Sequence, residues 1–181
     1  MILIFGAPGS GKSMQGQFLA ARNNWRWLSA GQLLRDQKDP ELVEKMQKGE
    51  LVESDRINNI IRDALQNAKD IDKLILDGFP RSIEQANFLI EMSEKIKRSI
   101  KAVIVLNADK QEIMRRLALR GRLDDAKETI EARFAQYVSV MQPIIDYFKS
   151  QNFEVIDIDG NGTVGQVHDR VMSELEKRKI V

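Results

Sequence analysis

The chain opens Met1-Ile2-Leu3-Ile4-Phe5 and runs directly into Gly6-Ala7-Pro8-Gly9-Ser10-Gly11-Lys12-Ser13. The second stretch is an unbroken G-x-x-x-x-G-K-[ST] loop, set between an apolar run of strand character and a helical pattern. Its glycines let successive backbone N–H groups converge on one point, the following helix contributes the positive end of its dipole, and Lys12 supplies a mobile cation. The combination predicts binding of a polyphosphate. An ordinary glycine-rich turn needs neither a lysine nor a hydroxyl residue at the first turn of a helix, so the loop is read as a phosphate cradle.

The loop sits in a repeating context. Apolar runs suited to buried strands occur at Met1 to Phe5, Lys73 to Leu76, Ala102 to Leu106 and Phe153 to Ile158, with a shorter candidate at Arg26 to Leu28. Helical periods fill the gaps. Ile57, Ile60, Ile61, Ala64, Leu65 and Ala68 mark one apolar stripe, and Ile130, Phe134, Tyr137, Val138, Met141, Ile144, Ile145 and Phe148 mark another. Both stripes are read as core. Asp125 and Glu128 form a candidate capping box for the second helix, Pro143 is expected to kink or break it, and Val164, Val167, Val171 and Leu175 give the last helix. Strands alternating with helices predict an α/β, doubly wound parallel sheet, because parallel neighbours need a crossover and the crossover is normally helical.

Composition narrows the class further. With 181 residues, 43% of them hydrophobic, one well-buried domain is expected. The 28 Lys plus Arg against 27 Asp plus Glu give a net charge of +1, which provides no whole-molecule field for nucleic acid or anionic membrane, so neither is expected as a partner. No cysteine is present, which excludes disulfides, thiolate nucleophiles and cysteine-ligated zinc. Met1 to Phe5 is too short for a signal-peptide core and no run reaches the ~18 apolar residues of a membrane span, so a soluble, cytoplasmic chain is expected.

Several side chains stand where chemistry would need them. Asp77 follows the buried-strand run Leu74-Ile75-Leu76, and in doubly wound sheets the binding crevice lies beyond the carboxyl ends of the strands. A carboxylate there can reach a magnesium ion, or its water shell, beside the phosphate loop. Arg81 follows the turn Gly78-Phe79-Pro80, whose stiffness suits a bidentate grip on phosphate. Arg116 and Arg120 sit four apart and share a helical face, followed by Arg122 and Arg133. Converging guanidiniums would stabilise the charge that phosphoryl transfer spreads over several oxygens. Arg115 lies about 100° off that face and is read as a surface ion pair. His168, the only histidine, has no companion for a metal site and is read as incidental, while Trp25 and Trp27 are read as packing beside a short strand. No basic stripe carries interleaved aromatics, and Asn107-Ala108-Asp109-Lys110 does not match the guanine motif of a regulatory GTPase.

GAPGSGKS at 6 to 13, LSAGQLLR at 28 to 35, GELV at 49 to 52, LDGFPRSIEQA at 76 to 86, RLALRGRLDD at 116 to 125 and ETIEAR at 128 to 133, in this order, resemble the adenylate kinases over nearly the whole chain. The resemblance implies a five-stranded P-loop fold with a core of residues 1–28, 59–115 and 123–181, a small helical monophosphate-binding excursion at 29–58 and a very short lid at 116–122. It implies reversible phosphoryl transfer from MgATP to AMP, giving two ADP. Gly9, Ser10, Gly11, Lys12, Ser13 and Met14 would wrap the ATP phosphates, with Arg116 against the donor base and ribose and the Gly162 backbone touching the adenine. Ala30, Arg35, Glu50, Leu51, Val52, Gly78, Phe79, Pro80, Arg81 and Gln85 would form the AMP site. There Arg35 and Arg81 would hold the phosphate, Val52 would line the nucleoside and Gln85 would bond the adenine edge. Lys12, Arg81, Arg120, Arg122 and Arg133 would carry catalysis, with Ser13 and Asp77 serving magnesium directly or through water. Nucleotides are the expected partners, with a monomeric chain, an oligomer being the alternative, and no zinc.

Four features depart from the family pattern. The usual Gly-Lys-Gly-Thr is Gly11-Lys12-Ser13-Met14, so Ser13 is expected to supply the hydroxyl that Met14 cannot. Gln32 occupies a place that is usually acidic. Ala30 stands where adenylate kinases commonly carry Thr, and Ser-Ala-Gly is the form common in UMP/CMP kinases, whereas Gln85 favours adenine because UMP/CMP kinases usually carry Asn there. Between Arg120 and Arg122 only Gly121 remains of a lid, which predicts ATP hydrolysis without acceptor or completion of the site by a partner surface. The alternatives kept are a UMP/CMP kinase and a non-catalytic nucleotide sensor.

Overall fold

Five strands pair in parallel in the order β2-β3-β1-β4-β5: β1 (Ile2–Gly6), β2 (Arg26–Ser29), β3 (Leu74–Asp77), β4 (Ala102–Asn107) and β5 (Val155–Asp159). The structure is a computed structural model and describes residues 1–48, 50, 52–68, 73–120 and 127–181. Among the described residues, eight helices connect and follow the strands: α1 (Lys12–Asn23), α2 (Ala30–Asp36), α3 (Pro40–Lys48), α4 (Ser54–Asn67), α5 (Ile83–Lys95), α6 (Lys110–Arg120), α7 (Lys127–Ser150) and α8 (Val164–Lys177).

Strand periodicity splits the core in two. Along β1, Leu3 and Phe5 face one side of the sheet and Ile2 and Ile4 the other, so each face needs its own cover of helices. Ile57, Ile61 and Leu65 of α4, Leu89 of α5 and Met141, Ile144 and Phe148 of α7 cover the first. Leu19 of α1 and Val167, Val171 and Leu175 of α8 cover the second. The central strands β1 and β3 are buried at every residue, which is why they read as solid apolar runs. The edge strands β2 and β5 are only partly buried, which accounts for the weaker signal at Arg26 to Leu28.

Of the two outcomes expected at Pro143, the break is overturned: α7 continues through it to Ser150. An interior proline costs about 3 kcal/mol, but Pro143 lies on the exposed face while Met141, Ile144, Ile145 and Phe148 around it are buried, each contributing about 1.5–3 kcal/mol. Burial on one face thus outweighs the lost bond on the other. Asp125 of the expected capping box lies outside the described residues, as does the side chain of Glu128.

The chain reverses direction of travel across the sheet at β1, whose neighbours β3 and β4 lie on opposite sides. A crevice opens beyond the carboxyl ends of strands at such a point. The register places Asp77, the last residue of β3, opposite Ile4, so the carboxylate arrives beside the root of the Gly6–Ser13 loop.

Candidate active site

The loop between β1 and α1 closes on itself through a bond from Ser10 N to Ala7 O at 3.0 Å. Gly9 holds a φ of +84°, and a Cβ there would stand 2.8 Å from Leu117 Cγ. Backbone hand and close approach of α6 both exclude a side chain at this point. Gly11 is the N-cap of α1 and brings no side-chain acceptor, whereas Ser29, Ser82 and Thr163 cap α2, α5 and α8 with their hydroxyls. The first amides of α1 are therefore suited to an external anion.

Two cavities meet at Lys12. The larger, about 680 Å³, is lined by the loop and first turns of α1 from Gly9 to Gln15, by Arg115, Arg116 and Leu117 of α6, and by Gly162, Thr163 and Val164. The smaller, about 60 Å³, is lined by Pro8, Gly78, Pro80, Arg81, Tyr137 and Met141, among others. Burial, and secondarily the charge of Asp157, push the Tyr137 phenol up to about 12, so it stays a neutral hydroxyl at working pH.

Asp77 is 1% exposed and accepts a 2.5 Å bond from Ser13 Oγ on Oδ2. Its other oxygen, Oδ1, is buried and has no hydrogen-bond partner among the described residues. An unsatisfied buried carboxylate oxygen is costly and calls for a donor, a water or a cation. Among the described residues no three acidic or imidazole side chains gather as a metal cage. A hydroxyl and one carboxylate next to a phosphate loop are the donor set expected for magnesium, which keeps most of its ligands as water and phosphate oxygen. The residues present fit that ion.

Arg116 binds four groups at once. Its Nε donates to Glu112 Oε1 at 2.7 Å, Nη1 to Ser10 O at 3.0 Å, and Nη2 to Gly160 O at 2.8 Å and Gly162 O at 3.1 Å. It thereby ties the phosphate loop to the segment between β5 and α8, lining the larger cavity as it does so. Arg115, expected to be a surface ion pair, forms one with Glu112 at 2.8 Å, and also lines that cavity. Hydrogen bonds from Arg115 and then Arg116 hold the Glu112 carboxyl at about 2.

Beside the smaller cavity, Arg81 Nε donates to Gly78 O at 3.1 Å, and its backbone N–H donates to Gln85 Oε1 at 2.7 Å. Gln85 is buried and its carboxamide oxygen shapes the turn that carries Arg81. Gln32 Oε1 accepts from Arg35 Nε at 3.3 Å and Nη2 at 3.0 Å, while its Nε2 donates to Asp36. The residue that departs from the acidic pattern thus braces Arg35. Ala30, Val52 and Phe79 are buried in the core on this side of the sheet, and Glu50 is exposed. Met14 is 46% exposed and lines the larger cavity. Leu51, Gly121 and Arg122 lie outside the described residues, as do the side chains of Arg120 and Arg133.

Three contributors carry no signal in the linear pattern. Glu112 and Tyr137 read as ordinary helix-surface and core residues. Gln15 accepts a bond from His168 at 3.2 Å, so the histidine read as incidental has a buried partner beside the phosphate loop. Only proximity across 153 residues of chain shows this.

A parallel α/β sheet with a phosphate loop after β1 and two cavities sharing its lysine defines a P-loop nucleotide-binding protein. The model of the family described as Adenylate kinase matches residues 4–153. The chain is 38% identical to an adenylate kinase of Prochlorococcus marinus (strain MIT 9301), over 87% of this chain and 90% of that one. It is 32% identical to an adenylate kinase of Corynebacterium urealyticum over 97% of this chain and 99% of the relative. Adenylate kinase 1 of Schistosoma mansoni is 34% identical over 98% of this chain and 93% of its own length. The chain belongs to the adenylate kinase family.

Proposed function

We propose that the chain transfers a phosphoryl group reversibly from MgATP to AMP, yielding two ADP, with the larger cavity taking the donor and the smaller lying on the acceptor side. The observation that carries this reading is Lys12, which lines both cavities from the first turn of α1. A cation at that junction meets the phosphoryl group on its way between nucleotides. The acceptor phosphate is already an anionic nucleophile, so no strong general base is needed. Positioning and charge neutralisation carry the barrier reduction.

In this reading the Gly9–Ser13 amides and the uncapped start of α1 hold the donor phosphates, and Arg116 fixes the loop against the Gly162 wall. Arg81, set by Gly78 and Gln85, and Arg35, braced by Gln32, grip the acceptor phosphate. Arg120, Arg122 and Arg133 are assigned to the transferring group, with residues 29–58 as the acceptor-binding excursion and 116–122 as the lid. Ser13 and Asp77 would hold magnesium, which supplies charge neutralisation across the donor phosphates when bound. A cytoplasmic location, among the free nucleotides, is part of the same proposal, and no helix among the described residues is long and apolar enough to cross a membrane.

Coupled assays with ATP plus AMP, CMP, UMP, GMP or no acceptor test the reading. ADP formation that requires AMP supports it. Preference for CMP or UMP would move the assignment to a pyrimidine acceptor, and binding of ATP with no turnover would make the chain a sensor. The arm without acceptor measures how far the short lid permits hydrolysis.

A further inference from the structure

Gln15 stands two residues beyond Ser13 on α1, is 3% exposed, and lines the larger cavity. Its Nε2 donates to Val164 O at 2.9 Å, and its Oε1 faces His168 Nδ1 at 3.2 Å. Both partners belong to α8, the helix whose start forms the far wall of that cavity. The two ends of a carboxamide are not interchangeable, since nitrogen donates and oxygen accepts. The Val164 carbonyl requires the donor end, so the oxygen end must meet a donor, and His168 provides Nδ1–H. The His168 ring is itself held edge-on against Phe18, one turn along α1, with centroids 6.0 Å apart. The wall is rigid in its own right, because Thr163 and Gln166 form a capping box that closes the first turn of α8.

We propose that Gln15, oriented by His168, is a positioning residue for the donor nucleotide, acting as a strut that sets the spacing between the phosphate loop and the Gly162–Val164 wall. This rests on the assignment of the larger cavity to the donor. The strut joins two elements on the donor side and touches none of Gly78, Pro80, Arg81 or Arg35. Its loss should therefore loosen the hold on ATP and leave the hold on AMP as it was. A residue needed only for folding would not separate the two substrates.

The test uses the full chain, with calorimetric affinity for a non-hydrolysable ATP analogue and separate KM values for ATP and AMP. Gln15→Leu fills the same space without either polar end, and losing a buried hydrogen-bonded contact of this kind should weaken analogue binding and raise the ATP KM by roughly tenfold, with the AMP KM within about twofold of wild type. His168→Leu should weaken the analogue about threefold, and His168→Asn, whose amide N–H can stand in for Nδ1–H, should recover most of that loss. Unchanged analogue affinity in Gln15→Leu, equal loss for ATP and AMP, or His168→Asn no better than His168→Leu would each overturn the proposal. Should Gln15→Leu fail to fold, the two His168 variants carry the comparison. A wild-type chain that binds the analogue but does not phosphorylate AMP counts against the proposed reaction while the calorimetric comparison still decides the strut. Failure of the wild type to bind the analogue overturns both.

Discussion

Ser13 Oγ donates to Asp77 Oδ2 at 2.5 Å, joining the first turn of α1 to the end of β3 across 64 residues of chain. The bond orients a buried carboxylate whose second oxygen has no partner among the described residues, directly beneath the phosphate loop. Ser13→Ala removes the hydroxyl and leaves Asp77 Oδ2 without this donor, which should cost about 1–3 kcal/mol of stability. Turnover should also need more magnesium. A magnesium titration of ADP formation, read beside a thermal melt, checks both effects. Unchanged magnesium dependence would remove Ser13 from the metal site.

The four-way contact of Arg116 yields a second expectation. Lysine keeps the charge but cannot reach Glu112, Ser10 O, Gly160 O and Gly162 O from one planar fork. Arg116→Lys should raise the ATP KM about tenfold, the equivalent of roughly 1.4 kcal/mol. Since none of these bonds reaches Arg81 or Gln85, the AMP KM should hold. Initial-rate kinetics with each substrate varied in turn separate the two.

The pH dependence of that anchor follows from Glu112, whose carboxyl is lowered from 4.5 to about 2 by hydrogen bonds from Arg115 and Arg116. A carboxylate lowered in the folded state adds stability that is complete above its unfolded value, 4.5, and is lost as the pH falls through about 2. The difference in thermal midpoint between wild type and Glu112→Gln should therefore be constant above 4.5 and shrink as the pH drops towards 2. A difference that already closes near neutral pH would show that the arginines do not hold this carboxylate.

Gly16, on the inner side of α1, lies against Trp27 of β2. A Cβ at this position would come within 2.8 Å of Trp27 Cδ1 and 2.9 Å of Nε1. The indole is broad and packed against the core, so it cannot swing aside as a flexible chain end would. Gly16→Ala should destabilise the chain by about 1–3 kcal/mol despite the better helix propensity of alanine. Denaturant unfolding measures it, and a stabilised variant would show that the α1–β2 contact is looser than described.

Legibility in the sequence followed chain distance. The phosphate loop is legible because its eight residues are contiguous and each type has a local reason: glycine for close approach, lysine for charge, a hydroxyl residue at the first turn of the helix. The place of Asp77 at the end of β3, beside the phosphate loop, is legible because the crevice of a doubly wound sheet lies beyond the carboxyl ends of its strands. Pro143 does not break α7, because helix propensity is local whereas the buried face that carries the helix past it is tertiary. The setting of His168 is not legible locally, because its partner Gln15 lies 153 residues away in the chain.

The sequence alone determined the parallel α/β architecture, the phosphate loop and the family resemblance, since strand burial, helical period and loop chemistry are written in neighbouring residues. Only the tertiary structure decided which groups meet. It brought Ser13 to Asp77, Arg116 to three backbone carbonyls on two loops, and Gln15 to α8. Those pairings depend on the order in which strands pack and on the register between them, and side-chain hydrogen bonds, which act over about 3 Å, exist only once that packing has brought distant segments together.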